Sequence, residues 1–415
     1  MDFTFTEEQQ AATEAARAAF SGVAPDGVPS PALVPGAVAE DIDRPLWAGL
    51  AAGDLLGLTL SPEHGGAGLD LVALCLVLRE SAKVLARVPL LETCAVAMAL
   101  QRYGDPGLAA ELLPLVGRGE LVLTVGANGR SGHDPAELAV TAHREVPMRS
   151  DRPGAASRRG PDEVPDETLG DATGDAAGDA DGGAAGWVLD GVQSGVPWAQ
   201  AADWIAIPAH TGEGRAVLAL IRPAHEGVTL AEQVSTSGER FAEVRLDSVR
   251  IDGRALIDTA GAWEWLRALL TTGTCALALG LGEAVLAMTS EYTGKREQFG
   301  FPVATFQSVA VQAADRYIDL RAMEVTLWQA AWRISTGADC ALPPEGDIAV
   351  AKIWASDGVR RVVQTAQHLH GGFGADTDYP LHRFHAWAKQ IELSLGPAAA
   401  HEEALGDLLA AHLLG

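Results

Sequence analysis

The sequence predicts an α+β protein in three parts. An N-terminal α-helical domain fills residues 1–120, a middle β domain of barrel or sandwich type residues 121–256, and a C-terminal four-helix bundle residues 257–415. Three observations predict it. Apolar residues recur at three- and four-residue spacing up to about Leu121, then fall into short alternating segments up to about Leu256. After that the helical period returns, opening with ALLTTGTCALALGLGEAVLAM, which is nearly uncharged over residues 268–282. A helix apolar on all sides has to be buried in a bundle. With 415 residues, 48% of them hydrophobic, and a mean hydropathy of +0.10, the chain can build a large core.

Within the first part, Thr6 followed by Glu7, Glu8 and Gln9 reads as an N-cap with acidic residues in the first helical turn. Leu46, Trp47 and Leu50 begin a short amphipathic helix that runs into an apolar segment ending at Leu58. Residues 61–69, SPEHGGAGL, form a loop. It is either an ordinary interhelical connection or one wall of a ligand pocket. Helical spacing resumes over residues 72–84 and 91–100.

The middle part supplies the strand segments LVLTVGA, AELAVTAH, GWVLDG, WIAIPAH, AVLALIR and AEVRLDSVRI, with turn signals between them. Residues 147–186 interrupt it with a stretch rich in Gly, Ala, Asp and Pro that has almost nothing to bury. That composition predicts a disordered acidic loop between two strands. Its Asp spacing fits neither an EF-hand nor a nonapeptide calcium turn.

The last part reads as helices over residues 263–293, 307–336, 346–369 and 387–414, joined by short links. After the first comes TGKREQFGFPVATFQSVA, which holds Arg296, a break at Phe299-Gly300, Pro302, and a new helix carrying Gln307. A guanidinium there suits either the last carbonyls of its helix or a phosphate ligand. Further on, QTAQHLHGGFGADTDYP ends a helix and sets Gly371, Gly372 and Gly374 beside Gln367, His368 and His370. One glycine would be a cap, whereas three in four positions let backbone N–H groups approach a ligand.

Taken together, R-x-x-F-G…F-Q followed by H-G-G-x-G…Y-P resembles the acyl-CoA dehydrogenase family, and the α–β–α order extends the resemblance to the whole chain outside residues 147–186. The resemblance implies FAD as cofactor and an acyl-CoA or other acyl thioester as substrate. It assigns the FAD adenine and pyrophosphate to Arg296, Phe299, Gln307, His368, Gly371, Gly372 and Gly374, largely across a subunit interface, and the flavin ring to Thr124. The reaction so implied is α,β-desaturation, in which a carboxylate removes the α-proton as the β-hydrogen leaves.

At the two positions where such proteins keep that Glu, this chain has Leu395, counted from Tyr379-Pro380, and Leu270, counted back from Arg296. Glu392 and Glu264 are the nearest substitutes. The ring-facing strand departs too, with Gly195, Val196 and Pro197 where an aromatic and a hydroxyl are usual. In these departures the chain is similar to subunits of actinobacterial heteromeric acyl-CoA dehydrogenases that act on bulky acyl-CoAs such as sterol side chains. A homologous subunit supplying the base is therefore expected. A non-catalytic or repurposed binding and assembly protein is the alternative. No motif identifies the electron acceptor.

Charge and cysteines set further bounds. A net charge of −25 argues against nucleic acid and anionic membrane as partners. Cys75, Cys94, Cys275 and Cys340 show neither C-x-x-C pairs nor zinc spacing, so no metal is expected and a reducing compartment is. The acidic start MDFTFTEEQQ lacks the pattern of a signal peptide, and the apolar run between Arg267 and Glu283 is short for a membrane span. Cytoplasmic localisation is the expectation.

Overall fold

The structure, a computed structural model, describes residues 4–25, 27, 31, 33–39, 42–131, 137–145 and 186–412. The acidic insertion predicted over residues 147–186 lies outside the described residues apart from Gly186.

Five helices come first: α1 (Glu7–Phe20), α2 (Arg44–Ala52), α3 (Leu71–Ala82), α4 (Leu90–Tyr103) and α5 (Pro106–Gly117). Thr6 and Gln9 form a capping box at α1, each side chain bonding the other's backbone N–H. Asp70 caps α3 through the N–H of Ala73 and also takes an amide hydrogen from Gln9, so one carboxylate ties two helices.

The middle of the chain is one eight-stranded mixed sheet in the order β6-β7-β3-β2-β4-β5-β8, with β1 added alongside β4. Its strands are β1 (Leu123–Val125), β2 (Val140–Arg144), β3 (Trp187–Pro197), β4 (Trp204–Thr211), β5 (Ala216–Ile221), β6 (Val228–Val234), β7 (Arg240–Ile251) and β8 (Leu256–Ile257). Strand β6 was not among the segments expected. It alternates exposed and half-buried residues at the sheet edge, so it lacks an apolar face to betray it.

The C-terminal part contains α6 (Ala262–Lys295), a small hairpin of β9 (Glu297–Gln298) and β10 (Phe301–Pro302), α7 (Gln307–Thr336), α8 (Pro344–His370), α9 (Leu381–Leu393) and α10 (Ala398–Ala411). Helix α6 is the axis of the molecule, packing on α3, α4, α7, α8 and α9. By length and composition it could cross a membrane, yet 78% of its most apolar window is buried inside the protein. One expectation is corrected here. The last predicted helix, residues 387–414, is two helices. Leu395 stands in the left-handed region at φ 58°, and Gly396 and Pro397 follow, so the helix cannot run on.

The N-terminal helices dock on α6 through glycine and charge. A Cβ at Gly280 would overlap the backbone carbonyl of Arg79 on α3, so only glycine allows this approach. On the same contact the Arg79 guanidinium binds Glu283 of α6 and, at 3.3 Å, Glu324 of α7.

Candidate active site

Where the three parts meet, a cavity of about 110 Å³ is lined by α3, α4, the sheet, α6 and α9. Leu270 of α6 and Leu395, just beyond α9, both line it. The two positions at which the resemblance expects a base therefore converge on one wall of one cavity, and both present alkyl groups. Leu395 is held from two sides. Its N–H donates to Asn128 Oδ1 at 3.4 Å, and its carbonyl accepts from His401 Nε2 at 2.9 Å. Asn128 Nδ2 donates in turn to Gly195 O at 3.3 Å, linking the sheet to the Leu395 turn.

The substitutes for the base lie elsewhere. Glu392 faces Lys389 at 2.7 Å and Arg360 at 3.9 Å and is not part of the cavity wall. Glu264 is exposed and borders a separate groove between α6, α8 and α10. Neither reaches the cavity. The carboxyls that do line it are Glu92, in the first turn of α4, and Glu239, in the turn between β6 and β7. Sequence reasoning missed both. The available signal was a single acidic residue in the otherwise apolar run LLETCAVAMAL.

Burial pushes the Glu92 carboxyl up to about 7, with the charge of Glu239 adding to it; its backbone hydrogen bond and the bond from the Trp198 indole act the other way. Trp198 is itself buried at φ 57°, a second left-handed non-glycine residue on this cavity. Glu239 is engaged by the Gln390 amide, which also accepts from the Ser237 hydroxyl at 2.7 Å. Thr124 is fully buried, and its hydroxyl donates to Pro197 O at 2.7 Å.

A second cluster gathers at the far end of α6. Arg296 ends the helix, is exposed, and forms no ion pair with a described residue. Tyr292, one turn earlier, stacks on His370 at 4.3 Å and on Phe373 at 5.4 Å, which brings the glycine turn against the end of α6. His370 donates from Nδ1 to Ala366 O at 2.8 Å and accepts from the Tyr379 hydroxyl at 3.1 Å, and burial lowers its pKa. Gly371, at φ 60° and ψ −140°, and Gly372 have open space where a side chain would begin. Gly374 is buried under the Gln367 amide. His368 and Gln307 are exposed, and Phe299, at φ 54°, is 90% exposed. Two surfaces thus emerge, an inner cavity of apolar walls and carboxyls, and an outer cluster of the exposed Arg296, open backbone and aromatic rings.

Both ends of the chain match models of one family. The acyl-CoA dehydrogenase N-terminal domain covers residues 6–120 and the acyl-CoA dehydrogenase C-terminal domain residues 270–409. The chain belongs to the acyl-CoA dehydrogenase family, whose members are FAD-binding flavin oxidoreductases. Among curated relatives, it is 31% identical to the acyl-CoA dehydrogenase FadE27 of Mycobacterium tuberculosis over 376 residues, 89% of either chain. Among solved structures, a variant of the Tcur3481-Tcur3483 steroid ACAD superposes with a TM-score of 0.80 at 34% identity, covering 98% of each chain. The ChsE4-ChsE5 complex from Mycobacterium tuberculosis does so with a TM-score of 0.81 at 30% identity, covering 99% of each.

Proposed function

We propose that this chain is one subunit of a heteromeric, FAD-dependent acyl-CoA dehydrogenase that desaturates a bulky acyl thioester in the cytoplasm. The observation that carries the reading is the exposed half-site at the end of α6. Arg296, Phe299, Gln307, His368, Gly371 and Gly372 face outward, so a second chain is needed to close over anything bound there. An unpaired guanidinium beside open glycine backbone fits a pyrophosphate, as a charge-assisted and sterically free site. When bound, FAD supplies the two-electron acceptor that receives the β-hydrogen with its electron pair. This chain's own Arg296 and glycine turn would bind the cofactor's phosphates, while Leu270 and Leu395 take no proton. The proton acceptor has to come from another wall of the cavity or from the partner subunit.

Two relatives support pairing and substrate class: the ChsE4-ChsE5 structure is a complex, and Tcur3481-Tcur3483 is a steroid ACAD. The four cysteines, all free, accord with a reducing cytoplasm. Co-expression with a homologous subunit tests the reading. The purified pair should be yellow and should reduce an artificial acceptor with acyl-CoA. Arg296→Ala should weaken FAD binding by about 1.5–3 kcal/mol, roughly 10- to 150-fold. A colourless pair that takes up no FAD would overturn the proposal. The buried Thr124–Pro197 hydrogen bond favours one second reading, in which this chain binds and assembles without chemistry of its own. A pair that binds acyl-CoA but never bleaches its flavin would support that one.

A further inference from the structure

We propose that Glu92 is the proton acceptor of this cavity, standing in for the carboxylate that Leu270 and Leu395 replace. The inference rests on the dehydrogenase reading above. Its warrant is geometric. Leu270 and Leu395 mark the wall from which the family's base would act, and Glu92 lines the same cavity from α4.

Of the two carboxyls on the wall, Glu239 is tied to the α9 side by Gln390, while Glu92 is met by the Trp198 indole. Trp198 stands beside it with a left-handed backbone at φ 57°. Such conformations persist where surrounding packing over-determines them, and they cluster at working sites. A backbone N–H and the neutral Trp198 indole orient the Glu92 carboxyl without neutralising its charge, so it keeps the capacity to take a proton.

The charged and titratable surroundings are consistent with that role. Glu239 across the cavity is the neighbouring negative charge and raises the Glu92 pKa. Cys94, on α4 itself, is buried and pushed up to about 12, so it stays a neutral thiol. Arg87, before α4, turns its guanidinium to Ser237 O at 2.9 Å and lies over the Trp387 ring. A carboxyl that titrates at about 7 is matched to accepting a proton at neutral pH.

In the step itself the Cα–H bond of the thioester breaks and its proton passes to a Glu92 oxygen. The freed pair forms the Cα=Cβ bond as the β-hydrogen departs with its own pair, for which bound FAD would be the acceptor. The protonated carboxyl then releases its proton to solvent.

The test compares Glu92→Gln and Glu92→Asp with the wild type in the FAD-loaded pair, using octanoyl-CoA and a steroid side-chain acyl-CoA with ferrocenium as acceptor. Gln keeps an oxygen for the Trp198 indole, so FAD content and melting temperature should not change. Turnover by Glu92→Gln should fall about a hundred- to ten-thousand-fold. Glu92→Asp should recover part of it, and the wild-type rate should rise with pH through about 7. Independently of turnover, infrared difference spectra should show a carboxyl stretch disappearing through the same pH range, and Glu92→Gln should lack it. If Glu92→Gln turns over within about threefold of wild type, the partner supplies the acceptor and the inference is wrong while the dehydrogenase reading stands. If the wild-type pair neither oxidises acyl-CoA nor exchanges its α-hydrogen with deuterated solvent, both are wrong.

Discussion

Lys352 shows how much one side chain can hold. Among the described residues it is the largest fully buried side chain, 1% exposed, with Nζ donating to Ser356 Oγ at 2.8 Å and to the carbonyls of Ile391 and Glu392 at 3.1 Å. Those carbonyls close α9, so the ammonium caps the helix that leads into Leu395. Burial lowers its pKa to about 8, with Cys275 and Glu392 pulling the other way, while His401 also senses its charge. The folded protein gives up this proton near 8, whereas an unfolded lysine keeps it to about 10.4. Between those values the unfolded state binds more protons, so this group's contribution to stability rises with pH. Urea unfolding at pH 8 and pH 10 should show that rise in the wild type and a smaller one in Lys352→Met. Equal slopes in the two proteins would contradict it. Nothing in the sequence marked Lys352, because its environment is assembled from α8 and α9 together.

Elements set the register of the whole, and the α3–α6 contact is the tightest case. Gly280 lets the Arg79 carbonyl lie against α6, and the Arg79–Glu283–Glu324 group secures the same crossing. A methyl at Gly280 has only backbone to push against. Gly280→Ala should therefore cost about 1–3 kcal/mol or more, visible as a lower denaturation midpoint. An unchanged midpoint would show that α3 can shift without loss. The elements legible in the sequence were those with strong periodicity. Helix α7 begins and ends where the pattern puts it, at Gln307 and Thr336, and α6 extends by a residue or two at each end. Illegible was β6, whose edge position removes the apolar alternation, while the break at Leu395 was passed over although Gly396 and Pro397 signal it.

At the scale of the molecule, the unsolved face is α7. Val311, Ile318 and Val325 recur at seven-residue spacing and are 51%, 63% and 53% exposed, with Tyr317 beside them. An apolar stripe of this kind on a long helix suits a helix–helix seam, and on the paired reading we place the second chain against it. Ile318→Asp should dissociate the assembly with little loss of secondary structure, read by light scattering and circular dichroism. An intact assembly would place the interface elsewhere. The site divides along the same line. The outer cluster rests on local motifs, Arg296 and the glycine turn, which the fold brings to one end of α6. The inner half was not legible in the sequence, because Glu92, Trp198, Leu270 and Leu395 become neighbours only through tertiary folding.

Phe299 and Phe301, which stand 90% and 62% exposed on the β9–β10 hairpin, carry a cost that belongs to the cell rather than to the reaction. Naked aromatic rings beside an apolar helix face invite promiscuous association. On the paired reading, a copy made without its counterpart is a substrate for chaperones and proteases. Supply of the two chains must then be matched in time and amount. Abundance of this protein would follow the scarcer of the two messages, whatever the demand for its chemistry.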